Sequence, residues 1–129
     1  MHTMKSLITY VIALTFLIHL LAQDADAYPA YNGNVPNGNT IPPSAIELGH
    51  PGGATKRYTP FANAYVTNGR KWTLALCRAD SDNDGQSNGL EMGDPCCAWT
   101  SGATPRFTDG LSDPNNPASL TTHTNQTCA

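Results

Sequence analysis

Apolar positions along the chain fall into patterns with different meanings. The first is a continuous run, Leu7 to Leu21, with Lys5 before it and the small residues Ala25-Asp26-Ala27 after it. A positive, then apolar, then small-residue order is that of a secretory signal. At about 15 residues the run is shorter than the roughly 20 needed to cross a bilayer. The expectation is therefore cleavage rather than anchoring, with residues 1–27 removed and Tyr28 as the new N-terminus. His2 and His19 would leave with the signal.

Two later stretches carry helical spacing. Thr59-Pro60 places a capping hydroxyl before a proline suited to the first helical turn, and Phe61, Ala62 and Tyr65 then share one side until Asn68-Gly69 ends the pattern. Between Lys71 and Ala79, Trp72, Leu76 and Ala79 recur at spacings of four and three, which predicts a second short helix with a core-facing stripe. Elsewhere the periodicity is lost. Residues 28–55 contain Asn32-Gly33, Asn37-Gly38, Pro42-Pro43 and Gly52-Gly53, and little regular structure is expected there. Residues 98–129, with Gly102, Pro105, Gly110, Pro114 and Pro117, again read as turns.

Directly after the second helix the pattern turns acidic. Asp80, Asp82, Asp84 and Glu91 occupy positions 1, 3, 5 and 12 of a twelve-residue loop with Gly85 at position 6. A chain wrapping a large hard cation needs oxygen donors at alternate positions, a sharp turn at 6 and a long glutamate to close the shell bidentately. The predicted calcium ligands are the carboxylates of Asp80, Asp82, Asp84 and Glu91, the backbone carbonyl of Gln86, and a direct or water-mediated contact from Asn88. The competing reading is a solvated acidic turn. Position 8 is Ser87 rather than an aliphatic residue, there is a single loop, and Met92-Gly93-Asp94-Pro95 stops any exiting helix. Those departures favour a structural staple over a calcium-switched groove. Asp94 either accepts backbone hydrogen bonds at the loop exit or adds a carboxylate to the ion.

Charge and cysteines sharpen this picture. Loss of Lys5, Asp24 and Asp26 leaves 6 basic and 8 acidic residues, and four of those acids lie in the loop. One divalent ion would bring the formal balance to about zero. Lys56-Arg57 and Arg70-Lys71 are isolated pairs, so neither nucleic acid nor an anionic membrane is indicated. The mature segment is short for a generous core. Cys77, Cys96, Cys97 and Cys128 all lie in it, and secretion favours two disulfides over a zinc site or a catalytic thiol. Joining the neighbours Cys96 and Cys97 would strain the peptide between them, so Cys77 is expected to take one and Cys128 the other. Asn125-Gln126-Thr127 is a glycosylation sequon beside Cys128. The expected fold is a small disulfide- and calcium-stabilised domain over residues 28–129, mostly irregular, with a few short helices.

The order Tyr28-Pro29-Ala30-Tyr31, Val35-Pro36-Asn37-Gly38, Gly49-His50, Gly52-Gly53, Phe61, Trp72, Leu76-Cys77 and Asp80 to Asp94, then Pro95-Cys96-Cys97-Ala98-Trp99, resembles the temptin family. The most specific segment runs from Leu76-Cys77 to Trp99. This resemblance implies a secreted, cysteine-linked domain that acts through protein contacts, as in a molluscan pheromone complex. It also implies the pairing Cys77 with Cys97 and Cys96 with Cys128. The chain departs from it at Tyr58-Thr59-Pro60-Phe61-Ala62, where relatives often carry an Asn-Pro-Phe-Gly-like stretch. A domain's partner is set by its surface rather than its fold, so pheromone activity does not follow from kinship.

Enzymatic readings find less support. Ser44, Ser101 and Ser112 lack a nucleophile elbow or an evident His/Asp partner pattern. His50, beside Gly49, Pro51 and Gly52-Gly53, could reach a metal, but a copper or zinc centre needs several converging ligands. The simpler reading of His50 is a backbone hydrogen bond, and of His123 a solvated loop. Trp72 and Trp99 are expected to supply much of the core, ahead of a role as a carbohydrate or peptide platform. The leading expectation is a secreted non-enzymatic binding or signalling protein with a secreted or cell-surface protein partner. The alternatives are a small copper-dependent redox enzyme or accessory domain using His50, and a cell-wall or matrix adhesion module.

Overall fold

Thr59 shows how local chemistry starts this fold. Its hydroxyl accepts the Ala62 N–H at 3.1 Å and donates to the Leu48 carbonyl at 2.7 Å. One buried side chain thus caps a helix and holds a distant loop. The computed structural model of the chain describes residues 29–41, 48–51, 57–123 and 128. The expected signal segment 1–27 and the sequon at Asn125 lie outside the described residues. The helices assigned here are short: α1 (Pro29–Asn32), α2 (Pro60–Thr67), α3 (Leu74–Arg78) and α4 (Asn88–Glu91). No strand occurs among the described residues, and no helix there is long and apolar enough to cross a membrane.

α2 has the predicted bounds, with Pro60 in its first turn and Asn68 as C-cap. α3 is shorter than the sequence pattern suggests. Thr73 caps it by accepting the Leu76 N–H at 3.1 Å, so helical backbone begins only at Leu74. Trp72 consequently precedes the helix and reaches the core from a loop. Residues 29–41 carry more structure than expected, since α1 forms there and Val35 and Ile41 are core residues. Asn37 takes a left-handed φ of 54° and donates from Nδ2 to the carbonyls of Met92 (2.9 Å) and Phe107 (2.7 Å). Those bonds cross over Gly93, whose φ is +82° and whose hypothetical Cβ would meet the Phe107 oxygen at 2.2 Å. Close approach of three chain segments therefore requires glycine at that position.

The core joins Val35, Ile41, Leu48, Phe61, Tyr65, Leu76 and Met92, with Ala64, Trp72 and Leu111 packed against it. Of the two tryptophans, Trp72 contributes to this cluster, its ring 6.5 Å from Phe61. Trp99 instead lies partly exposed and donates its indole N–H to Ala103. The expectation that both would build the core is corrected on this point.

Two disulfides secure the irregular chain. Cys77 pairs with Cys97 and Cys96 with Cys128, the pairing that the resemblance implies, with Cα–Cα distances of 5.7 and 5.4 Å. Cys97 has a left-handed φ of 53°. From this adjacent pair, one bridge runs to the fully buried Cys77 and the other to the C-terminal tail. Loops of these separations, 20 and 32 residues, correspond to about 3–4 kcal/mol each in the chain-entropy account.

Candidate metal site

The acidic loop lies between α3 and α4, which pack on each other. Gly89 makes that packing close: a Cβ there would lie 2.3 Å from the Cys77 sulfur and 2.7 Å from the Asp94 carbonyl. Buried Asn88 joins the two ends of the loop. Its Nδ2 donates to the Leu76 carbonyl at 2.8 Å, its backbone N–H donates to the Ala79 carbonyl at 2.7 Å, and its Oδ1 accepts from Ser81 at 3.3 Å. Its side-chain amide is thus engaged with the main chain, a structural role that spacing alone did not single out. Ser87, at loop position 8, is the N-cap of α4 and accepts the Leu90 N–H. A polar residue there starts a helix where a paired sensor would place a strand.

Within the loop the carboxylates organise the backbone. Asp80 accepts N–H groups from Asn83 (2.7 Å), Asp84 (3.3 Å) and Gly85 (2.9 Å), while Asp82 accepts from Asp84 and Asp84 from Gln86. Asn83 and Gly85 supply the left-handed turns, with φ of 64° and 92°. Ligand atoms of Asp80, Asp82 and Asp84 lie within 4.8 Å of one another. The expected position-12 ligand, Glu91, is carried by α4 and stands outside that group of three. Glu91 is 0 % exposed, and its Oε1 accepts the Ser112 hydroxyl at 2.8 Å.

Three carboxylate oxygens here are buried without a hydrogen-bond partner: Asp82 Oδ2, Asp84 Oδ2 and Glu91 Oε2. Burial pushes the Glu91 carboxyl up to about 8; the charges of Asp82, Asp84 and Asp113 push the same way, against the Ser112 hydrogen bond. Burial and the Asp84 charge also raise Asp82. Buried carboxylates normally have a cation or several donors to answer their charge. Oxygen-only donors, several of them anionic, suit a hard divalent cation such as calcium. The residues present therefore fit the ion that the loop spacing implies.

The other predicted residues are placed as follows. The Gln86 side chain accepts the Thr121 N–H at 2.9 Å, which leaves its backbone carbonyl as the predicted ligand atom. Asp94 is a backbone acceptor at the loop exit: it takes N–H groups from Ala98 and Trp99 and the indole N–H of Trp72. His50 lies 5.0 Å from the Tyr58 ring. Among the described residues it belongs to no group of three or more histidine, cysteine or acidic side chains with ligand spacing. His123 stacks on Phe107 at 3.9 Å, with Nε2 2.8 Å from the Asp109 carbonyl. Ser112, weighed in the sequence only as a nucleophile or turn residue, and Thr121 lie against the loop, bonded to Glu91 and Gln86. Their turn-rich composition carries no signal of a contact so distant in sequence.

Comparison with known proteins identifies relatives of this chain. A family model described as Temptin C-terminal matches residues 25–116. That span takes in the acidic loop, Cys77, Cys96, Cys97, Ser112 and Asp113, and ends before Thr121 and Cys128. Temptin of Aplysia californica is 41% identical over 104 residues, covering 75% of this chain and 83% of that protein. No solved structure matches the chain. With the family match spanning more than half its length, the chain belongs to the temptin family.

Proposed function

We propose that the protein is a secreted, non-enzymatic signalling protein of temptin type, released after cleavage of residues 1–27 and acting by contact with a secreted or cell-surface protein. One calcium ion, held by Asp80, Asp82, Asp84, the Gln86 carbonyl and Glu91, with a direct or water-mediated contact from Asn88, staples its irregular chain. The observation that carries the calcium reading is the set of buried, unpartnered oxygens on Asp82, Asp84 and Glu91. Membership of the temptin family supports the signalling reading.

The chemistry of the remaining side chains supports a binding role. The clustered acids are accounted for as ion ligands rather than as a general acid and base, because a bound divalent cation holds them ionised. Ser112 uses its hydroxyl on Glu91 rather than presenting a nucleophile to a base. Calcium contributes rigidity: it fixes the loop between α3 and α4 and hence the surface that the segment presents. Metal analysis of the purified secreted protein tests this. Calcium near one equivalent, lost in Glu91→Gln, is expected. Stoichiometric copper lost in His50→Ala would support the redox alternative instead. Crosslinking in the secreted fluid is expected to capture a protein partner, and capture on wall polysaccharide alone would point to the adhesion module.

A further inference from the structure

The two disulfides differ in what surrounds their sulfurs. Cys77 is buried, and its Sγ is closed over by Gly89, where an added Cβ would lie only 2.3 Å away. The other bridge runs from Cys96, which is partly exposed, to Cys128, an exposed residue of the tail. Here the Arg106 guanidinium donates from Nη1 to the Cys96 Sγ at 3.2 Å. The residue beside it anchors Arg106 near that sulfur. The Phe107 N–H donates to the Gly93 carbonyl at 3.0 Å, its own carbonyl accepts from Asn37 at 2.7 Å, and its ring centre lies 5.8 Å from the guanidinium carbon. A disulfide sulfur is a weak acceptor, so the contact gains little while the bridge is closed. A thiolate in the same place would accept a charge-assisted bond from a permanent cation.

We infer that Cys96–Cys128 is a thiol-exchange site that takes a small thiol of the glutathione class, with Cys96 as the leaving group and Arg106 as the cation that receives it. The external thiolate attacks the exposed Cys128 Sγ and forms a new S–S bond there. The Cys96–Cys128 bond breaks, and its electron pair passes to the Cys96 Sγ as a thiolate beside Arg106. One disulfide replaces another, so the step consumes no oxidant or reductant. A better stabilised leaving thiolate departs faster, and exposed bridges are the labile ones. Closure of the freed Cys96 onto Cys97 is disfavoured, because a bridge between neighbours strains the peptide joining them. The product is a tail released from Pro95-Cys96 and carrying the thiol on Cys128, while Cys77–Cys97 still clasps the base of the acidic loop. The step requires no metal ion and is independent of the calcium reading.

Exposure of the purified, oxidised protein to reduced glutathione, quenched by alkylation and read by peptide mass spectrometry, tests the assignment. The expected result is glutathione on Cys128 and the alkyl group on Cys96, with Cys77–Cys97 intact. Opening of both bridges at one rate, or glutathione on Cys96, would overturn it, and this arm needs no variant. Arg106→Gln is expected to slow the opening by about three- to tenfold, and Arg106→Lys, which keeps the charge, to recover most of that loss. The same slowing is expected with 2-mercaptoethanol, whose uncharged body separates leaving-group stabilisation from attraction of the anionic tripeptide. An unchanged rate in Arg106→Gln, or slowing with glutathione alone, would overturn the role of Arg106.

Discussion

A carboxyl group at 0 % exposure is costly to ionise unless something answers its charge, and among the described residues only Ser112 hydrogen-bonds the Glu91 carboxyl. The consequence is a definite pH dependence. In chelator, the folded-state carboxyl sits at about 8, above its ordinary value of 4.5. The folded protein therefore holds this proton more tightly than the unfolded chain. Its contribution is fully present below about pH 4.5 and is lost as pH rises through 8. Chemical denaturation in chelator across that window is expected to show falling stability, and saturating calcium is expected to remove much of the fall by replacing the proton. Gly89 makes a second expectation at this scale. Gly89→Ala would push a methyl against the Cys77 sulfur and the Asp94 carbonyl. Overpacking of that kind costs about 1–3 kcal/mol or more, readable as a lower urea midpoint.

At the scale of elements, the helices are too short to persist alone, and capping and cross-segment bonds hold them. Thr59→Ala removes both the cap on α2 and the bond to Leu48. A loss of about 2 kcal/mol in urea unfolding is expected, near the upper end for such caps. α2 was legible in the sequence because its signals are local: Thr-Pro at one end and Asn-Gly at the other. α3 was only partly legible, because Trp72 imitates a helical stripe while Thr73 supplies the actual cap. The acid spacing was legible for the same local reason. The contribution of residues 29–41 was not. Val35 and Ile41 enter the core without periodicity, and Asn37 acts through carbonyls 55 and 70 residues away. The contacts of Ser112 and Thr121 with the loop were hidden likewise, since contacts across irregular chain leave no repeating mark on composition.

Taken whole, the molecule substitutes ties for regular secondary structure. Among the described residues, which contain no strand, an apolar cluster, two disulfides and a net of side-chain to main-chain bonds hold the chain in register. The acidic loop lies among them: Cys77 and Asn88 anchor its ends, Asp94 fastens its exit, and the C-terminal segment is bonded to Glu91 and Gln86. Breaking the bridge at its base should therefore act on ion binding as well as on stability. Cys77→Ser with Cys97→Ser is expected to weaken calcium binding in titration calorimetry more than Cys96→Ser with Cys128→Ser, which frees mainly the tail. An equal effect of the two pairs would place the coupling elsewhere.

The central claim is that one divalent ion organises this domain, and thermal unfolding of the oxidised protein with calcium or with chelator tests it most directly. At a free calcium concentration about 100 times Kd, binding adds about 2.7 kcal/mol, which corresponds to a melting temperature higher by roughly 10–20 °C for a domain of this size. Superimposable unfolding curves in calcium and in chelator would contradict the account.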